Sequence, residues 1–131
     1  MSNPVREWQQ IENLWIEAIE RLKKIPAKDV AGYTEAQKLL AIYQANLGQV
    51  KIRRQAEADA VEAMDAAQRE IGRLLASIPA NADYGERNRR LSQLQSIINQ
   101  LEKVQNGTTT YLKAQELLLS ANNKLRQLEA Q

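Results

Sequence analysis

Apolar residues recur at every third or fourth position through almost the whole chain, with no sustained alternation at period two. That spacing lines one face of an α-helix, so the pattern predicts helices and no strands. The first stripe is Val5, Trp8, Ile11, Trp15, Ala18/Ile19 and Leu22. It predicts a helix over residues 4–24. Asn3 can cap it with its side-chain carbonyl, and Pro4 suits the first helical position because its missing N–H would be unpaired there anyway. Pro26 ends it, since a residue before proline is pushed out of the α region. A second helix is expected over 34–77, opened by a Thr34-x-x-Gln37 capping box. Its stripe of Ala36, Leu40, Tyr43, Leu47 and Val50 loses phase across 53–59. It resumes as Ala60/Val61, Met64, Ala67, Ile71 and Leu74/Leu75. One helix of about 44 residues or two helices broken near 48–54 would both fit. The continuous helix is preferred, because Gly48 alone costs only about 1 kcal/mol.

The stripe Leu91, Leu94, Ile97/Ile98, Leu101 and Val104 predicts a third helix over 84–105. Asn106-Gly107 is a stop signal, with glycine supplying a left-handed residue. Thr108 or Thr109 then caps a fourth helix over 108–128, carrying Tyr111, Ala114, Leu118, Ala121, Leu125 and Leu128. Leu112, Leu117 and Leu119 widen this last stripe, which implies more than one packing neighbour. The expected fold class is all-α: a bundle of four helices in antiparallel hairpins that share a long second helix, as one domain over 1–131. A turn near 29–30 places Ile11 opposite Gly48 and Trp15 beside Tyr43. Gly48 is therefore expected to be helical and to give Trp8 and Ile11 room to pack.

An imperfect duplication supports this organisation. Ile25-Pro26 and Ile78-Pro79 lie 53 residues apart, and each is followed by a polar loop and a tyrosine, Tyr33 or Tyr84. The two copies cover about 8–50 and 60–104. A period of this size is a mark of helical repeats. Each Ile-Pro could be a recognition loop; the plainer reading is a turn that stops one helix and seats an isoleucine in the core.

Composition narrows the function classes. The chain has 131 residues, which is one domain's worth and enough for a core without staples. It contains no cysteine and no histidine. That removes disulfides, the commonest metal ligands, the usual neutral-pH base and any Ser-His triad. There is no P-loop or G-x-G-x-x-G motif. No catalytic residue, cofactor site or metal site is expected. Eighteen basic and sixteen acidic residues leave a net charge of +2, far from the footprint of a dedicated nucleic-acid binder. No apolar run is long enough for a transmembrane helix, and the first ten residues lack the apolar core of a signal peptide. A soluble, cytoplasmic chain is the default expectation, and a fragment of a larger multidomain or membrane-attached protein would look the same.

Two groups stand out as candidate interaction residues. Trp8, Trp15 and Tyr43 form an aromatic set on the first hairpin. Buried, they are core anchors, which is the commoner case; exposed, they are a binding ridge. Arg69, Arg73, Arg87, Arg89 and Arg90 crowd one hairpin end in the antiparallel register. They could bind phosphate, acidic lipid headgroups or an acidic partner, or form a solvated face offset by Glu70, Asp83 and Glu86.

The residues Ala18, Leu22, Ile25, Pro26, Tyr33, Ala36, Leu40, Tyr43, Asn46 and Leu47 together resemble a helical repeat common in cyanobacterial multidomain proteins, where it accompanies membrane, protease or kinase modules. The unit is also loosely similar to tetratricopeptide helix pairs. It departs from them in its period of 53 against about 34 residues, its longer loop, and the missing glycine after the first helix's leucine. In the second copy Arg87 stands at the loop-following alanine and Ile98 at the Leu47 position. The resemblance covers residues 8–104 and implies an interaction or spacer module. The expected function is a non-enzymatic protein-interaction or scaffolding module, with a homodimer through the N-terminal hairpin. The alternative is an arginine-patch binder of an anionic surface, nucleic acid or acidic lipid.

Overall fold

Asn3 opens the first helix, α1 (Pro4–Lys23), from an extended backbone, and its side chain accepts a hydrogen bond from the Arg6 N–H at 3.1 Å. Asparagine at the cap and proline just inside it satisfy or remove two of the donors that a helix start leaves open. At the other end the Lys24 and Ile25 N–H groups fold back on the carbonyls of Arg21 and Leu22 before Pro26. The computed structural model describes residues 3–76 and 84–130. Among them the chain is all-α: α1, α2 (Val30–Ala76), α3 (Tyr84–Glu102) and α4 (Tyr111–Glu129). The second Ile-Pro turn and the expected limit of the long helix at 77 lie outside the described residues.

The long second helix is continuous over 47 residues, with no break at 48–54. It starts four residues before the expected Thr34. Asp29 is the cap: its Oδ1 accepts from the Gly32 N–H at 3.2 Å and its carbonyl from Tyr33 at 2.7 Å. A carboxylate facing the positive end of the helix is a strong cap. Thr34 lies inside the helix, where its hydroxyl donates back to the Val30 carbonyl at 2.8 Å. The chain divides into two compact units, Met1–Glu57 and Ala58–Gln131. The boundary falls within the stretch where the apolar stripe of α2 loses phase.

In the N-terminal unit, α1 and the first part of α2 form a hairpin with few fully buried apolar side chains: Ile19, Ala36 and Val50. Trp15 meets Tyr43 edge-on, with ring centroids 5.1 Å apart and planes at 74°. Glu12 and Arg54 tie the helices together by an ion pair of 2.6 Å. Gly48 is helical, but its expected packing role is not found. A Cβ there would meet no heavy atom within 4 Å, because the position faces away from α1.

The C-terminal unit has a denser core. Ala60, Ala63, Met64 and Ala67 of α2 pack on Ile97, Leu101 and Val104, and on Ala114 of α4. Three alanines on one face let helices approach closely, and the larger side chains of α3 fill the seam. Leu94, Ile98, Ala121 and Leu128 continue the core along the α3–α4 pair. α3 ends three residues before the expected 105. The Lys103 and Val104 N–H groups turn back on Gln100 and Leu101, which keeps Val104 buried while the chain leaves the helix. Gly107 has φ of 95°, a left-handed conformation that favours glycine. The expected caps Thr108 and Thr109 are displaced, and the cap position belongs to Thr110, whose side chain makes no cap bond. Thr108 instead closes the turn, its hydroxyl donating to the Gln105 carbonyl at 2.7 Å.

Candidate functional site

The candidate residues of the N-terminal unit are neither core nor ridge in the simple sense. Trp8, Trp15 and Tyr43 are all half-buried. The rings of Trp15 and Tyr43 shield one another, which orders both without removing them from solvent. Around them the hairpin leaves large apolar side chains exposed: Leu14 at 65%, Ile42 at 54% and Ile52 at 60% of their free surface, with Ile11 and Ile16 each at 38%. On α2, Ile42 and Ile52 lie about 80° apart around the helix, so they share a side. Two helices have only two facing stripes to bury, and this pair carries more apolar positions than that.

The five arginines do not act as one group. Arg87 is engaged at the end of α4: its Nε donates to the Leu128 carbonyl at 2.9 Å and its Nη2 to the Glu129 carbonyl at 3.2 Å. These carbonyls lie in the last turn of α4, where the i+4 donors run out, and the helix dipole favours a cation beside them. Arg89 is exposed and paired with Glu86 at 3.1 Å. Arg69 and Arg73 are exposed on α2. Arg69 edges a polar hollow with Asp59, Glu62 and Lys103, whose mixed charges favour no single ligand sign. Arg90 is set apart. It is half-buried, and its Nε and Nη2 are shielded from solvent without a hydrogen-bond partner.

Arg90 borders an apolar cleft of about 390 Å³ among α2, α3 and α4. α2 contributes Ile71, Leu74 and Leu75, α3 contributes Leu94 and Ile97, and α4 contributes Leu117 and Leu128. Lys124 stands at its edge, and no acidic residue lines it among the described residues. The apolar stripes by themselves give no outline of this cleft, because Lys124 is off the apolar positions of α4 and the cleft needs three helices. One signal was available: an apolar face on α4 too wide for a single neighbour.

Among the described residues no group of three or more acidic, histidine or cysteine side chains could hold a metal ion. No helix among them is long and apolar enough to cross a membrane. No protein-family model, curated protein or solved structure matches the chain.

Proposed function

We propose that the protein is a non-enzymatic interaction module that pairs through its N-terminal hairpin, with a second copy of the chain as the occupant. The single observation behind this reading is the thin cover of that hairpin. Its fully buried apolar side chains are Ile19, Ala36 and Val50, while Leu14, Ile42 and Ile52 stand more than half exposed. Large apolar side chains left exposed on one hairpin are a feature of association sites. A symmetric pair, in which the same patch meets itself, is the commonest way to cover it. The residue types favour binding over catalysis, since the chain offers neither histidine nor cysteine. The arginine-patch alternative has less support, because Arg87 and Arg89 already have partners within the chain.

Sedimentation equilibrium on the whole chain tests the reading. The expected result is a concentration-dependent dimer that Leu14→Glu or Ile42→Glu shifts to monomer while helical content is retained. A strict monomer at high concentration, with the surface substitutions changing nothing, would remove the homodimer.

A further inference from the structure

The cleft of the C-terminal unit combines three properties. Its walls are almost wholly aliphatic, both charged side chains at its border are basic, and one of these is incompletely satisfied. The last property is the sharpest. A shielded guanidinium with open donors is costly, and folding normally supplies an acceptor. Two acceptors, Glu70 Oε2 and Gln93 Oε1, are also shielded without partners, so neither answers Arg90. A ligand anion in the cleft would supply the missing acceptor once the guanidinium turns its shielded donors toward it.

Size restricts the ligand further. The cleft's 390 Å³ falls within the range of small-molecule sites. A partner helix would lay only one face on a cleft of this size, whereas a single aliphatic chain can enter it. Branched leucine and isoleucine walls offer such a chain dispersion contacts but no hydrogen bonds.

We propose that this cleft binds a medium-chain alkyl carboxylate, with the chain against Ile71, Leu74, Leu94 and Ile97 and the carboxylate on Arg90, assisted by Lys124. Arginine suits that head group, since its planar fork can meet both carboxylate oxygens. The site is in a different unit from the proposed dimer surface and does not depend on it.

The test is an NMR titration of the whole chain with decanoate, kept below micelle formation, and in parallel with decanol. Saturable amide shifts are expected at Leu94, Ala121 and Lys124, with decanoate binding about tenfold more tightly than decanol. Arg90→Met keeps the aliphatic stem and removes the charge. It should abolish that preference and leave decanol binding unchanged. Circular dichroism checks its fold, and Lys124→Met provides a second charge removal if Arg90→Met is unfolded, with a smaller loss of preference expected. Leu14→Glu should leave decanoate binding as it is. Equal binding of decanoate and decanol to the parent chain would overturn the proposal. So would shifts spread over the N-terminal hairpin in place of the cleft.

Discussion

Arg87 shows how a residue that reads as a ligand contact can be structural. Its two bonds to the carbonyls of Leu128 and Glu129 join the start of α3 to the end of α4. Replacing it with Met should destabilise the chain by about 1–2 kcal/mol in urea unfolding. Arg89→Met, which loses only an exposed pair with Glu86, should cost at most about 0.5 kcal/mol. Equal losses in the two variants would argue against the capping role. Two glycines separate in the same way. Gly48 has open space where a side chain would go, so Gly48→Ala should gain up to about 1 kcal/mol from helix propensity. Gly107 has φ of 95°, and Gly107→Ala should lose about 1–2 kcal/mol. Thermal denaturation of the pair should give shifts of opposite sign.

At the scale of elements, the start of α2 can be assigned by mutation. Asp29→Ala should cost about 1 kcal/mol, because the Gly32 N–H loses its acceptor at the helix start. Thr34→Ala should be close to neutral. Its hydroxyl bonds to a carbonyl already used within the helix, and alanine is the better helix former. The opposite ranking would restore Thr34 as the cap. Helix existence was legible because the 3/4 stripe is repeated over many turns. Helix ends were less so, because Asp29 and Thr34 both have capping chemistry, and so do Thr108, Thr109 and Thr110. Which one caps depends on where the chain enters the helix, and that is decided by the turn before it. At α3, burial of Val104 in the turn draws the chain out of the helix before 105.

For the whole molecule, the two units differ in how much core each holds. Both tryptophans lie in the N-terminal unit, so their fluorescence reports on that unit alone, while far-UV circular dichroism reports on every helix. At low protein concentration the fluorescence transition should come at lower urea than the dichroism transition, since the hairpin buries less apolar surface. Raising the concentration should bring the two together if pairing covers the hairpin. Coincident curves at every concentration would mean that the units unfold as one and that pairing adds no stability.

The sequence alone determined what depends on neighbours a few positions away. The helical class follows from the stripe period, the cap at Asn3 and Pro4 from backbone donors, and the end of α1 from the geometry of Pro26. Continuity of α2 was also legible, since one glycine is a small cost against a long run of helix formers. Tertiary structure decided the partners of long side chains. Arginines of similar sequence context reach different surroundings: Arg87 a helix end, Arg89 a surface carboxylate, and Arg90 the wall of an apolar cleft. A guanidinium lies several bonds from the backbone, so its environment is set by which helices meet around it. The cleft itself exists only where α2, α3 and α4 leave a gap. Its volume depends on packing among residues as far apart in the chain as Ile71 and Leu128, and a periodic stripe contains no information at that range.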